Sequence, residues 1–164
     1  MKTTLFRTIV IKYLARKYGF RYRLKHLTNY GEWYVGTNLI AIDPYACHDD
    51  AGFISTLLHE IGHMVAYQNK KFYLYHRMGG FTCRTPTKDI ATYIRTGLKA
   101  ERYVDRWAEE VCKRDFPSVE YEQSYRTERE VEYFYYDNLR PFIEELAKRK
   151  AKFAQRSAGK GRPA

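Results

Sequence analysis

A helix that is apolar on most of its surface yet carries three ionisable groups has few folds open to it, and residues 51–68 read as such a helix. Phe53-Ile54-Ser55-Thr56-Leu57-Leu58 supply an apolar stripe, Met64-Val65-Ala66 continue it, and His59-Glu60-Ile61-Gly62-His63 lie between them. Asp49 or Asp50 can cap the start. His59 and His63 are four residues apart, close to one turn, so their imidazoles leave one face and can share a metal ion. Glu60 is placed to reach a water on that metal as a general base. A chain this long carries an HExxH pattern by chance roughly once in a hundred. The bland alternative is two ordinary histidines, but a metal site needs the rigid, dry setting that these flanking residues provide.

Zinc sites that do chemistry have three protein ligands and one open position, so a third ligand is needed. His26 and His48 lie upstream, and His76 lies thirteen residues after His63 in Tyr73-Leu74-Tyr75-His76-Arg77-Met78-Gly79-Gly80, which reads as a loop. Among the carboxylates, Glu101 and Asp105 stand beside the apolar stripe Ala100, Val104, Trp107, Ala108 and Val111 of an amphipathic helix. A carboxylate at the edge of a core is costly unless paired or bound to metal. It can equally reach solvent along its own stem. Spacing alone leaves Glu101 and His76 both open as the third ligand.

His59-Glu60-Ile61-Gly62-His63, followed 38 residues later by Glu101-Arg102-Tyr103-Val104-Asp105-Arg106-Trp107-Ala108, resembles the ImmA/IrrE group of small zinc metallopeptidases. That group carries HE-hydrophobic-GH on one helix and E-x-x-A-D/N-x-F/W-A on a second. The resemblance implies Zn²⁺ held by His59, His63 and Glu101, with Glu60 as catalytic base and Asp105 supporting a metal-binding histidine from behind. It also implies a protein substrate, a transcriptional regulator by analogy with the repressors that such peptidases cleave. Val104 stands where Ala is usual, and Glu109-Glu110-Val111-Cys112-Lys113-Arg114 replaces an apolar run ending in Pro. SprT-like proteases take their third ligand from a downstream histidine and would favour His76. They show His-Gly there, whereas this chain has His76-Arg77.

The expected fold is α+β and zincin-like: a small antiparallel sheet of three strands packed on the HExxH helix, with further helices towards the C-terminus. One domain over residues 1–147, followed by a basic, disordered tail over 148–164, accounts for the 164 residues. An amphipathic helix over 3–18 precedes an alternating strand, Phe20 to Leu27, with Trp33-Tyr34-Val35 and Leu39-Ile40-Ala41-Ile42 as two more. Three strands in succession suggest a meander, with Leu39 to Ile42 as the open edge offered to a peptide. Residues 69–87 read as an irregular loop, Thr85 or Thr87 as a cap and Gly97 as a break before the Glu101 helix. Ser118 caps a further helix over 119–139, and Pro141 starts or kinks a last one running into Lys148-Arg149-Lys150.

Cys47, Cys83 and Cys112 are odd in number and form no CxxC pair, which argues against a disulfide framework and for a reducing, cytoplasmic setting. Arg7 and Lys12 interrupt the apolar start, so it is neither a membrane span nor a signal core. Its basic, acid-free character also resembles an organellar transit peptide, although it runs straight into an apparent strand. Charge is uneven. Residues 1–31 carry +8 and residues 148–164 carry +7, both without an acid, while the 116 residues between them carry −5. Basic ends suit nucleic acid, an acidic partner or an anionic membrane surface, or merely solubilise. A binding protein that retains the zincin scaffold, contacting nucleic acid or a host factor with little or no proteolysis, is the rival reading.

Overall fold

The computed structural model describes residues 5–77 and 87–123, together with scattered positions from 140 to 155. Helix α1 (Leu5–Tyr18) turns Val10, Ile11 and Leu14 into the core. Arg7 is buried with them because its Nε meets Asp50 Oδ1 at 2.6 Å and its guanidinium lies 5.3 Å from the centre of the Phe53 ring. A buried guanidinium is tolerable only when paired in this way.

Strands β1 (Arg21–Leu24), β2 (Gly31–Tyr34) and β3 (Leu39–Ile42) form a mixed sheet in the order β1-β3-β2. This corrects the expected antiparallel meander. β1 runs parallel to β3, with Arg21 opposite Leu39, and β2 runs antiparallel to it, with Trp33 opposite Ile40. β3 is the only one of the three that is apolar along its whole length, and such a strand is stable where it is covered on both faces and paired on both sides. The chain is led past its end by Asp43, whose carboxylate accepts from Leu27 N at 3.0 Å while its own N–H donates to Tyr30 O. β3 therefore offers no free edge to a peptide. β2 does.

Helix α2 (Asp50–Gln68) is capped by Asp49, whose side chain accepts from Gly52 N at 2.8 Å. Phe53, Ile54, Leu57, Leu58, Ile61 and Met64 are all fully buried on it, as expected for a central helix. A five-residue helix, α3 (Tyr73–Arg77), occupies part of the stretch expected to be loop. Helix α4 (Thr87–Asp115) runs unbroken through Gly97. An interior glycine costs a helix only about 1 kcal/mol, which 29 residues readily absorb.

The helix expected from residue 119 does not start there. Residues 119–123 are irregular, because Glu122 N donates to Ser55 Oγ at 2.9 Å and the Tyr121 hydroxyl donates to Asp105 Oδ1 at 2.9 Å. The rest of that expected helix, the Thr85 cap and the tail after Ser157 lie outside the described residues. Positions 147–152 are helical.

α2 packs on α4 so closely that position 62 has little room for a side chain. A Cβ there would lie 2.8 Å from Val104 Cγ1 and 3.1 Å from Trp107 Cε3. On its other side α2 meets β2 at Gly31, where a Cβ would lie 2.8 Å from Thr56 Cγ2 and 3.0 Å from Glu60 Cγ. These two approaches bring β2, α2 and α4 together at one place.

Candidate metal centre

That place holds the histidines. His59 Nε2 and His63 Nε2 are 3.0 Å apart, and Glu101 Oε2 lies 3.2 Å from the first and 3.4 Å from the second. For bonds of 2.0–2.1 Å in a tetrahedral site, the ligand atoms should be about 3.3 Å apart. The triangle has that size. All three residues are buried, and among the described residues they are the only His, Cys, Asp or Glu cluster able to hold a metal ion. Helical spacing places the two histidines, and the Gly62 contact brings α4 close enough to present Glu101 to both.

The surroundings orient the donors. His59 Nδ1 is 2.9 Å from Asp105 Oδ1, and an ionised carboxylate can only accept, so Nδ1 carries the proton and Nε2 faces the triangle. Tyr121 donates to the same Asp105 oxygen. Tyr75 donates to Glu101 Oε1 at 2.7 Å, leaving Oε2 towards the histidines. His63 Nδ1 is buried with no hydrogen-bond partner among the described residues. Glu60, one residue past His59, does not join the triangle, and its Oε2 accepts the Trp33 backbone N–H at 2.8 Å. Trp33 belongs to a non-hydrogen-bonded pair with β3, so its N–H points out of the open edge of β2 towards α2.

Charge at the site is that of a cation receptor. Burial disfavours a charged His59, but hydrogen bonds to Asp105 and Glu101 outweigh it and raise its pKa to about 10. Burial likewise disfavours ionised Glu101, and His63 and His59 outweigh it, holding this carboxyl well below the usual range. The negative field that retains a proton on His59 would also favour a divalent cation.

His76, the rival ligand, is buried with its ring 5.2 Å from that of His63, edge to face, and outside the triad. Its Nε2 has no partner among the described residues. Burial, then nearby His63, lowers its pKa to about 4, so it is neutral at physiological pH. Tyr67 and Tyr73 stack on one another at 5.0 Å, with Tyr67 6.2 Å from His76. His26 and His48 are exposed, and His26 pairs instead with Asp43.

The sequence reading missed Tyr121, the Trp33 N–H and Gly31. Tyr121 is one of sixteen tyrosines and carried no local signal, while a backbone N–H leaves no trace in residue type. No family model matches the chain, and neither do curated proteins or solved structures.

Proposed function

We propose that this chain is a zinc-dependent metallopeptidase of the ImmA/IrrE-like kind, acting on a protein substrate. The observation that carries the proposal is the His59–His63–Glu101 triangle with a carboxylate, Glu60, beside it but not in it. Two imidazoles and one carboxylate suit zinc, and a purely structural site has no use for Glu60. Bound zinc would supply Lewis acidity, lowering the pKa of water towards 7 and polarising the scissile carbonyl.

The protein's own groups do the rest. Asp105 and Tyr121 fix the His59 ring, and Tyr75 fixes the Glu101 carboxylate. Glu60 accepts a proton from the attacking water as the new C–O bond forms, then delivers it to the amine as the C–N bond breaks. The open edge of β2 lies beside Glu60 and would align an extended peptide by main-chain hydrogen bonds. His76, with an unpartnered Nε2 next to His63, is the candidate donor to the developing oxyanion. A regulatory substrate met on nucleic acid in the cytoplasm fits the basic ends, +8 over residues 1–31 and +7 over 148–164.

One observation favours the rival, a zincin-scaffold binding protein: the Glu60 carboxylate is engaged by the Trp33 N–H. Two measurements separate the readings. Metal analysis should find one zinc per chain in the wild type and His76→Ala, and none in Glu101→Ala. Loss of zinc in His76→Ala but not Glu101→Ala would overturn the ligand set. Incubation with unfolded protein mixtures, read by mass spectrometry, should give cleavages that Glu60→Gln abolishes while keeping its zinc. A wild type that carries zinc yet cleaves nothing would establish the binding protein.

A further inference from the structure

The outward face of α1 is unlike the rest of the described surface. Leu5 is 77% exposed, Ile9 57%, Tyr13 45% and Phe6 44%, and these four are nearly half of the large hydrophobic residues exposed among the described residues. Leu5, Ile9 and Tyr13 recur every four residues, so they form one stripe along the helix, with Phe6 beside it. The opposite face already buries Val10, Ile11 and Leu14. A helix that is apolar on both faces ordinarily lies between two partners. α1 has one.

Charge indicates the other. Lys12 and Arg16 follow Leu5 by seven and eleven residues, which puts them on the same side of the helix as the stripe. Both are exposed, and neither forms an ion pair among the described residues. Residues 1–31 contain eight Lys and Arg and no acid. Lys17, the next cation on this helix, is already held by Asp115 Oδ2 at 2.6 Å.

We propose that this face of α1 docks on an anionic lipid surface, lying in its plane. An apolar stripe with cations alongside matches such a surface on both counts: side chains such as Leu5 and Ile9 enter the acyl boundary while lysine and arginine stay among acidic headgroups. A phosphate backbone would use the cations but leave the stripe in water. The inner face of α1 stays in the core, so docking needs no unfolding. Any chemistry at the metal centre is independent of it.

The test is flotation of the full-length protein with phosphatidylcholine vesicles, with and without phosphatidylglycerol. The wild type should float only with the anionic vesicles, and less in high salt. Ile9→Asp should abolish flotation, and Lys12→Gln with Arg16→Gln should weaken binding about twenty-five-fold, from roughly fivefold per cation. Circular dichroism would show the variants folded, and should Ile9→Asp not fold, the lysine and arginine pair carries the test. Failure to float overturns the proposal, as does flotation untouched by either variant. A wild-type dimer that Ile9→Asp makes monomeric assigns the face to a second copy and overturns it. So does a DNA-mobility shift that the same substitution removes without any vesicle binding.

Discussion

Replacing Gly62 with Ala tests the contact that delivers the third ligand. The added Cβ would sit 2.8 Å from Val104 Cγ1, 3.1 Å from Trp107 Cε3 and 3.4 Å from the Val104 carbonyl oxygen. Carbon atoms pack best at about 3.5–4.0 Å, so α4 would have to retreat from α2 by roughly 1 Å. Val104 is fully buried and has nowhere to turn. Overpacking of this kind costs about 1–3 kcal/mol, against a gain of about 1 kcal/mol for Ala over Gly inside a helix. The net expectation is a loss of about 1 kcal/mol, or roughly 2–4 °C in Tm for a domain of this size. Glu101 stands on α4 three residues before Val104, so the same retreat pulls its carboxylate from the histidines, and zinc affinity should fall about tenfold or more. Val104→Ala removes the closest clash, so the double variant should recover stability relative to the sum of the single changes, by about 1 kcal/mol. Guanidinium unfolding of the metal-free proteins gives the first quantity, and competition with a chromophoric chelator gives the second. A Gly62→Ala protein about 1 kcal/mol more stable than wild type, with unchanged zinc affinity, would refute the close crossing of α2 and α4.

Asp105→Asn should weaken zinc about 10–100-fold, and Tyr121→Phe less, because the first removes the negative charge from the acceptor of the His59 Nδ1–H while the second loses one hydrogen bond to that acceptor; equal affinity in Asp105→Asn would remove Asp105 from the site. Zinc at a hundredfold above its Kd should stabilise the fold by about 2.7 kcal/mol, a Tm rise of roughly 5–10 °C that a chelator reverses and that Glu101→Ala lacks. The Asp43 carboxylate is opposed by burial, yet accepts N–H bonds from Leu27, Tyr45 and Ala46, which with nearby His26 lower its pKa below 3.8. A lowered folded-state value stabilises the fold in full above 3.8 and is lost as pH falls through the folded value, so wild type should lose more stability on acidification than Asp43→Asn. Parallel acid-unfolding curves for the two proteins would contradict this.

Much of the fold was readable from local signals. The bounds of β3 and α2, the Asp49 cap and the burial of α2 follow from apolar runs and capping residues, which act within a few positions. The misreadings share a cause. The meander was inferred from three consecutive strands, but pairing order depends on which strand can be covered on both sides, and that is a property of β3 relative to its neighbours. Gly97 failed to break α4 because a break needs more than a residue that merely permits one. The segment after Ser118 was drawn away from helix by bonds to Ser55 and Asp105, remote in sequence.

At the site the division is the same. His59 and His63 on one face, with Glu60 beside them, were determined by the sequence, since the helical repeat places residues four apart without help from the rest of the chain. Only the tertiary structure brought Glu101 to the two histidines while leaving His76 outside, put β2 at an edge of the sheet beside α2, and carried a Trp33 N–H to Glu60. Each of those depends on how closely two elements approach, and that distance was set by the missing side chains of Gly62 and Gly31, whose partners lie on other elements of the fold.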